Sequence, residues 1–380
     1  MEKSMKKILF LIHDLGPGGA EKVLVNLVNH MDPAQFDITV MTLFDVGVNR
    51  QFLAKHIRYR YCFKHMFRGN SHVMKLPSPG FLHKWFIKEK YDIEVSYLEG
   101  PCARVISGCP HKDTKLVAWI HCLPQKNGNV TLGFRSYEEA AACYGKFHRV
   151  ICVSRTAEDA FRQVFPKITR TGVVYNTNDS HRILSLAAEP VGDIFPENRI
   201  KLIGVGKLVP VKAFDRLVRI HARLRKEGYP VLTYILGVGA LQAELERLVE
   251  ELGAGDSFRF LGYQTNPYRF VSRCDLFVCS SLSEGFSTAA TEALIVGTPV
   301  CTVEVSGMKE MLGSSNEYGV VTENSEDALY LAIKQLLDDP AQLSHYKKMA
   351  AIRGKDFRTE ETVRATEQML EDDYENQAAH

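Results

Sequence analysis

Two glutamates eight residues apart stand in the stretch CSSLSEGFSTAATEALIVGTPV. Glu284 falls in a predicted loop after the strand Leu276–Ser280, and Glu292 falls inside the helix predicted over Thr288–Val296. Eight helical residues span about 12 Å, so the two carboxylates are too far apart for a close acid–base dyad. Because carboxylate oxygens accept hydrogen bonds from hydroxyls, the spacing favours two contacts along one elongated ligand. A capping or intrahelical ion-pair role is the alternative for Glu292.

Two lysines lie in a second candidate segment, GKLVPVKAFDRLV. Lys207 and Lys212 flank a turn that contains Pro210, between a predicted strand and a helix that starts near Ala213. Two ammonium groups in a strand-to-helix loop suit a diphosphate, because they neutralise its charge. The alternative is a pair of solvated surface lysines.

The first half of the chain offers a histidine and a glycine-rich turn. His121 closes the apolar strand Leu116–Ile120, where it can hydrogen-bond substrate hydroxyls or carry a proton. Gly18 and Gly19, in HDLGPGGAEKVLVNLV, permit close backbone approach before the helix predicted over Gly19–His30. The competing interpretations are a structural histidine and an ordinary strand–turn–helix junction.

The elements that position these residues alternate between strands and helices. Apolar runs without polar alternation, such as ILFLI and LFVC, are typical of strands buried on both faces, so the pattern predicts parallel sheets in an α/β fold. The predicted strands are Lys7–Ile12, Asp37–Leu43, Ile93–Tyr97, Leu116–Ile120, Arg149–Val153, Gly172–Tyr175, Ile200–Val205, Pro230–Leu236, Phe258–Phe260, Leu276–Ser280 and Pro299–Thr302.

The pattern breaks once, in LAAEPVGDIFPEN, and then restarts with a new strand. We therefore predict a Rossmann-like domain over residues 1–184, a linker over 185–198 and a second Rossmann-like domain over 199–358. A charged helical pattern over 359–380 is expected to cross back to the first domain. The two doubly wound domains are expected to face a central cleft, where ligands bind in such folds.

Six segments together resemble glycosyltransferase family 4, the retaining nucleotide-sugar transferases of GT-B fold. The most specific is the family's E-x7-E pattern, present as Glu284 and Glu292 and followed by ALIVGTPV. GPGGAEKVLVNL, CVSRTAEDAF, VVYNTND, GKLVPVKAFD and LGVGALQAELERLV match further family segments in the family's order. The resemblance extends from about Lys6 to Leu370 and points to enzymes of bacterial surface-polysaccharide synthesis.

The resemblance implies a role for each candidate in the second half. Glu292 would hold the ribose hydroxyls of the nucleotide, Glu284 would contact the donor sugar, and Lys207 and Lys212 would neutralise the leaving diphosphate. The backbone N–H groups of Phe286, Ser287 and Thr288 would assist at the helix N-terminus.

In the first half, the resemblance implies that Gly18 and Gly19 close over the donor and that His121 is the family's cleft histidine. His121, Lys212 and Glu284 are the expected catalytic residues. Lys207 stands where the family usually has Arg, and Ala213 stands where Gly is common.

The implied reaction moves a hexose or N-acetylhexosamine, with retention, from a nucleotide diphosphate sugar to a saccharide or lipid-diphosphate-linked acceptor. A UDP-linked donor is expected, and neither a metal nor a cofactor is, because lysines and helix N-termini take the cation's place. A nucleotide-sugar epimerase or phosphorylase on the same fold, or a binding module without turnover, is the alternative. An NAD-linked oxidoreductase is disfavoured, because the first turn lacks the G-x-G-x-x-G pattern.

The composition narrows the cellular setting. A net charge of +2 over 380 residues gives no reason to expect a nucleic-acid partner. Nine cysteines without a CxxC pair argue against a disulfide framework and against a structural zinc site. No apolar run approaches the ~20 residues that a membrane span needs. We therefore expect a cytoplasmic protein, either free or peripheral at the inner face of the cell membrane.

One segment departs from this neutral balance. Residues 51–91 carry nine Lys or Arg residues against the single acid Glu89, with aromatic residues interleaved. We predict that this segment rests on anionic lipid and receives a lipid-linked sugar. The alternative is an ordinary helix packed on the sheet with solvated lysines.

Overall fold

The computed structural model of the chain describes residues 5–67, 69, 73–126, 128–192, 195 and 199–372. These residues form two compact units. The first runs to Asn178 and takes in the residues from Thr359 onward, and the second is Asp179–Arg358. Each unit is built around one parallel sheet.

The sheet of the first unit has seven strands among the described residues. They are β1 (Lys6–Ile12), β2 (Phe36–Phe44), β3 (Arg58–Phe63), β4 (Ile93–Ser96), β5 (Lys115–Ile120), β6 (Arg149–Cys152) and β7 (Thr171–Val173). Their order is β3-β2-β1-β4-β5-β6-β7, and all neighbours are parallel. The order reverses direction between β1 and β4, as in a doubly wound Rossmann sheet.

The second unit repeats this arrangement with six strands in the part of the chain described. They are β8 (Ile200–Val205), β9 (Val231–Leu236), β10 (Phe258–Phe260), β11 (Leu276–Cys279), β12 (Val300–Val303) and β13 (Val320–Thr322). Their order is β10-β9-β8-β11-β12-β13, again parallel throughout. The switch point lies between β8 and β11, so the loops after these two strands are the default ligand site.

Helices alternate with the strands in both units. They are α1 (Gly19–His30), α2 (Pro79–Phe86), α3 (Pro101–Ile106), α4 (Tyr137–Tyr144), α5 (Arg155–Val164), α6 (Ser180–Ala187), α7 (Phe214–Lys226), α8 (Gln242–Glu251), α9 (Tyr268–Val271), α10 (Thr288–Ile295), α11 (Met308–Leu312), α12 (Glu326–Asp338), α13 (Pro340–Arg353) and α14 (Thr359–Glu371), with short 3₁₀ turns at Val48–Phe52, Pro210–Lys212 and Gly354–Phe357.

Apolar strand and helix faces form a core in each unit. Leu11, Ile120 and Phe161 are fully buried in the first core, and Leu202 and Ile333 are fully buried in the second. Strand β1 shows why the apolar runs predict the fold: its last five side chains are all buried, although they point alternately to opposite faces of the sheet.

The C-terminal helix α14 belongs to the first unit. The backbone N–H of Asp32, just after α1, donates to the Glu367 carboxylate over 2.8 Å. The Lys115 ammonium donates to the backbone carbonyl of Leu370 over 3.0 Å. Helix α14 also packs on α1. The chain therefore leaves the first unit after Asn178 and returns to it at Thr359.

The predicted strands are all present, each within two residues of its expected ends. Two strands escaped prediction, β3 and β13, and both lie at sheet edges. Strand β3 has the sequence RYRYCF. An edge strand needs no continuous apolar run, so its composition gave no strand signal.

The predicted domain boundary after residue 184 lies six residues too late, because the division falls between Asn178 and Asp179. Residues 185–187 of the predicted linker complete α6, which packs in the second unit. Asn266 and Ser272 donate to the carbonyls of Leu186 and Ala187 over 2.9 and 3.1 Å, which fixes α6 there. Residues 193, 194 and 196–198 of the linker lie outside the described residues.

Candidate active site

Two loops of the second unit bring the predicted lysine and glutamate together. The Lys212 ammonium lies 2.5 Å from the Glu284 carboxylate, and the Ser281 hydroxyl donates to the same carboxylate oxygen over 2.7 Å. Lys212 ends the loop after β8, and Glu284 lies in the loop after β11. The cluster therefore sits at the switch point of the sheet, with both charged side chains mostly buried.

The two loops are joined by backbone contacts as well as by the ion pair. The Leu282 N–H donates to the Val211 carbonyl over 2.8 Å, and the Ser280 hydroxyl donates to the Lys212 carbonyl over 2.9 Å. Ala213 has a left-handed backbone, with φ of +46°. This conformation favours glycine, so it explains the Gly that the family commonly places there.

Helix α10 begins beside this cluster. Ser287 is its N-cap, and its hydroxyl accepts a hydrogen bond from the Ala290 N–H over 3.3 Å. Phe286 is buried with its ring 6.1 Å from that of Phe357, and Thr288 opens the helix. The first helical turn carries a positive partial charge, which suits an anionic ligand.

Glu292 lies deeper in the same helix and has different partners from Glu284. Its side chain is 7% exposed, and the buried Tyr268 hydroxyl donates to one carboxylate oxygen over 3.2 Å. The described contacts of the two carboxylates differ, since Glu284 meets Lys212 and Ser281, whereas Glu292 meets Tyr268.

Lys207 is the second lysine predicted to meet a diphosphate. Its side chain is exposed just beyond β8. The neighbouring Leu208 exchanges backbone hydrogen bonds with Val238 and Leu241 over 3.0 and 3.1 Å, which seats the loop after β9 against it. A side chain at Gly239 would meet the Leu208 backbone at 2.3 Å, so this approach needs a glycine.

In the first unit, the glycine turn after β1 is ordered by Asp14. Its carboxylate accepts from the Gly16 N–H and contacts His13 Nδ1, each over 2.7 Å. Gly18 is the N-cap of α1 with a φ of −92°, and Gly19 is the first helical residue. Beside this turn, backbone packing requires a glycine at Gly47 and not at the predicted Gly18 or Gly19. The φ of Gly47 is +127°, and a Cβ there would lie 1.9 Å from the Leu15 backbone.

His121 follows β5, as predicted, and its imidazole lies among aromatic rings. Its ring centroid is 4.7 Å from that of Tyr97 and 6.3 Å from that of Trp119. Its backbone N–H donates to the Glu99 carboxylate over 3.1 Å, and its Nε2 atom is buried with no hydrogen-bond partner among the described residues. Burial lowers the pKa of His121 to about 3.

A neutral imidazole follows from that lowered pKa at neutral pH. Nε2 can then exchange one hydrogen bond with a ligand hydroxyl, which is the first of the two predicted roles. The second, a proton carrier near neutral pH, is disfavoured because the ring does not take up a proton there.

Three polar residues that contact the candidate site residues were not predicted from the sequence: Ser281, Tyr268 and Glu99. Ser281 lies three residues before Glu284, so a signal was present. Tyr268 and Glu99 are 24 and 22 residues from the residues they contact, and no spacing rule connects them.

Two family models together match most of the chain. The model described as "Glycosyltransferase Family 4" matches residues 17–182, and the model described as "Glycosyl transferases group 1" matches residues 190–353. The chain belongs to glycosyltransferase family 4. Its two Rossmann-like units are those of the GT-B fold, because solved structures of this fold align over both of them.

Curated relatives resemble this glycosyltransferase over nearly its full length or over part of it. The N-acetylgalactosamine-N,N'-diacetylbacillosaminyl-diphospho-undecaprenol 4-alpha-N-acetylgalactosaminyltransferase of Campylobacter jejuni is 26% identical over 93% of this chain and 96% of its own. The lipopolysaccharide core biosynthesis glycosyltransferase LpsD of Rhizobium meliloti is 32% identical over 38% of this chain and 41% of its own.

Among solved structures, Anabaena HepE in complex with UDP superimposes with a TM-score of 0.78 and 20% identity, covering 96% of this chain and 99% of HepE. WaaG, a glycosyltransferase involved in lipopolysaccharide biosynthesis, gives a TM-score of 0.73 at 15% identity, with 96% and 100% covered. No helix among the described residues of this glycosyltransferase is both long and apolar enough to span a bilayer.

Proposed function

We propose that this glycosyltransferase moves a hexose or N-acetylhexosamine from a UDP-linked donor to a hydroxyl of a saccharide or lipid-diphosphate-linked saccharide. Anomeric configuration is retained, and neither a metal nor a cofactor takes part in the transfer. The product feeds the synthesis of a bacterial surface polysaccharide, at the cytoplasmic face of the membrane.

The proposed donor-binding site rests on one observation, the cluster of Lys212, Glu284 and Ser281 beside the start of α10. An ammonium and a helix N-terminus together favour a diphosphate. The carboxylate beside them accepts hydrogen bonds from sugar hydroxyls, and Glu292, farther along α10, accepts from the ribose. Phe286, Ser287 and Thr288 contribute their backbone at the helix start, and Lys207 adds an exposed charge.

The chemistry follows from those charges. The bond between the anomeric carbon and the diphosphate oxygen breaks first, and Lys212 with the helix terminus stabilises the negative charge that grows on the leaving group. The acceptor hydroxyl attacks the oxocarbenium-like carbon from the same face. Its proton passes to the departing diphosphate oxygen, so no protein nucleophile is needed. His121, neutral in the first unit, offers Nε2 to a sugar hydroxyl.

The substrate classes rest on the relatives. HepE binds UDP, which supports a uridine nucleotide, and the name of the Campylobacter relative describes a diphospho-undecaprenol acceptor that receives an N-acetylhexosamine. Gly18 and Gly19 at the start of α1 belong to the glycine turn that would approach the donor.

The test is transfer with a panel of nucleotide sugars. UDP-glucose, UDP-galactose, UDP-N-acetylglucosamine, UDP-N-acetylgalactosamine and GDP-mannose are each incubated with polyprenyl-diphosphate-linked saccharides, with and without a chelator. We expect acceptor-dependent release of UDP from one donor, an α-linked product by NMR, and unchanged rates with chelator. Glu284→Gln is expected to lose at least ~100-fold in kcat, whereas the exposed Glu251→Gln on α8 is the matched control.

Other outcomes would point to the alternatives. Interconversion of the sugar, with free UDP released and no acceptor required, would indicate an epimerase. Tight donor binding without any product across the acceptor panel would indicate a binding module. A β-linked product from an α-linked donor would contradict retention.

We also propose that the first unit rests on an anionic membrane. Lys64, Phe81, Lys84, Trp85 and Lys88 form what we call the basic aromatic face. All five are exposed, with Phe81 at 57% and Trp85 at 53%, and the two rings stack edge to face 5.8 Å apart.

The structure reduces the charge available there. Three of the nine basic residues of segment 51–91 are paired with carboxylates: Arg58 with Asp37, Arg60 with Glu89, and Lys90 with Asp113. Arg68 lies outside the described residues. The lysines of the basic aromatic face have no carboxylate within ion-pair distance in the described part of the chain. The Lys88 ammonium donates to the Lys84 carbonyl over 2.9 Å, and all three lysines are exposed, so they can meet lipid phosphates.

Vesicle flotation tests this placement. We expect binding to phosphatidylglycerol vesicles, little binding to phosphatidylcholine vesicles, and loss of binding in the Lys84→Glu, Lys88→Glu double variant. The double variant Lys347→Glu, Lys348→Glu makes the same charge change on exposed positions of α13 and is expected to bind normally. Equal, negligible binding to both vesicle types would remove the idea.

A further inference from the structure

Three side chains with metal-binding chemistry converge in the first unit, away from the candidate active site. They are His83 on α2, Glu94 on β4 and Cys109, three residues after α3. One ligand atom from each lies within 4.8 Å of the others. Glu94 lies near the amino end of β4, whereas the glycine turn and His121 follow the carboxyl ends of their strands.

The distances are close to those of a tetrahedral site. His83 Nε2 lies 2.8 Å from one oxygen of Glu94, and Cys109 Sγ lies 3.6 Å from the other. A zinc ion with bonds of about 2.0 Å to N and O and about 2.3 Å to S holds its ligand atoms about 3.3–3.6 Å apart. Because one ligand atom from each residue lies within 4.8 Å of the others, movements of about an ångström would bring Nε2, Sγ and one Glu94 oxygen to ligand positions.

Burial makes these polar groups unusual. The side chains of His83 and Glu94 are 3% and 0% exposed, and buried ionisable groups are costly unless they are paired or bind a metal. Cys109 is only partly buried, so it leaves a path from solvent.

We propose that His83, Glu94 and Cys109 bind one zinc ion, with water as the fourth ligand on the side of Cys109. Imidazole nitrogen, carboxylate oxygen and thiolate sulfur are the ligand types of zinc sites in proteins. The ion would tie α2 to β4 and to the turn after α3, so its role is structural. The proposal is independent of the transfer reaction, which we propose to proceed without a metal, and it reverses the expectation from cysteine spacing.

Cobalt substitution provides the test. Untagged full-length protein is stripped with a chelator, dialysed and titrated with Co²⁺, which reports a bound thiolate by a charge-transfer band in the near ultraviolet. We expect one equivalent of Co²⁺, the thiolate band, competition by Zn²⁺ and proton release on binding. Cys109→Ser is expected to lose the band and to weaken Zn²⁺ binding by at least ~100-fold.

The controls keep the outcome decisive. Cys62→Ser removes another partly buried thiol and is expected to bind like the unaltered protein. If Cys109→Ser does not fold, the thiolate band of the unaltered protein still decides the question. Absence of that band at saturating Co²⁺, or a band that persists in folded Cys109→Ser, would overturn the proposal and leave a hydrogen-bonded triad.

Discussion

The Lys212 ammonium and the Glu284 carboxylate lie 2.5 Å apart. This contact fixes the position of the positive charge that, in the proposed reaction, meets the leaving diphosphate. Ser281, in the same loop as Glu284, donates to the same carboxylate oxygen.

Replacing Lys212 by Ala is expected to reduce kcat about 100-fold while changing the KM for the donor by less than about threefold. The reason is that the diphosphate gains negative charge mainly in the transition state. Steady-state kinetics with the best donor measures both constants, and Lys226→Ala, an exposed lysine at the end of α7, serves as the control. A raised KM with an unchanged kcat would assign Lys212 to donor binding alone.

Stability below neutral pH depends on His121, because burial lowers its pKa to about 3 from an ordinary value of 6.5. Between these values the unfolded chain binds a proton that the folded chain does not, so stability falls as pH decreases through this window. One such group gives a slope of up to ~1.4 kcal/mol per pH unit.

His121→Gln is expected to flatten this dependence. Urea unfolding at pH 7 and pH 5 measures the free energy of unfolding of both proteins, and the variant should lose less stability between the two. Identical losses would show that His121 does not titrate in this way. The pH profile of kcat in the unaltered enzyme is expected to lack a step due to this histidine.

At the scale of elements, the turn from β8 into α7 decides where Lys212 points. Its 3₁₀ turn, Pro210–Lys212, ends at Ala213 in a left-handed conformation that is unfavourable for a residue with a Cβ. The turn keeps this strained conformation. The hydrogen bond from the Leu282 N–H to the Val211 carbonyl joins it to the loop after β11.

Ala213→Gly is expected to stabilise the protein by ~0.5–1 kcal/mol, because glycine adopts this conformation without strain. Ala222→Gly, inside α7, is the matched control and should destabilise by up to ~1 kcal/mol. Chemical denaturation measures both. A loss of stability in Ala213→Gly would contradict the left-handed turn.

Long apolar runs mark the central strands, whereas among the short edge strands the sequence predicted β7 and β10 but not β3 and β13. Strands β1 and β11 are buried on both faces, so their composition marks them. Strands β3 and β13 lie at sheet edges, where short or polar segments pair by their backbones, and composition gives little signal.

The same limit applies to the candidate site. Glu284 and Glu292 stand in one motif, whereas Tyr268 meets Glu292 only because α9 packs beside α10. His83, Glu94 and Cys109 lie on α2, on β4 and in the turn after α3, with no motif spacing. Such contacts depend on tertiary packing, which periodicity does not encode.

For the molecule as a whole, the chain crosses between the units twice, and α14 completes the first unit. Val363, Thr366 and Leu370 are buried there, and Lys115 donates to carbonyls at the end of the helix.

Truncation after Arg358 is expected to lower the melting temperature of the first unit by several degrees or to prevent its folding, because it exposes this face of the sheet and helices. Gln368→Ala, at an exposed position of α14, is the control and should leave the melting temperature unchanged. Calorimetry follows both. Unchanged melting after removal of α14 would show that the helix contributes little to the first unit.

The placement of Glu292 as the nucleotide-binding carboxylate is tested most directly by calorimetric titration of UDP into the unaltered enzyme, Glu292→Gln, Tyr268→Phe and the control Glu251→Gln. We predict that Glu292→Gln weakens binding at least ~10-fold, since it removes a charged hydrogen-bond acceptor. Tyr268→Phe should weaken it ~3–10-fold, because the carboxylate loses its positioning bond, and Glu251→Gln should bind normally. Folded Glu292→Gln that binds UDP as tightly as the unaltered enzyme would contradict the proposed donor site.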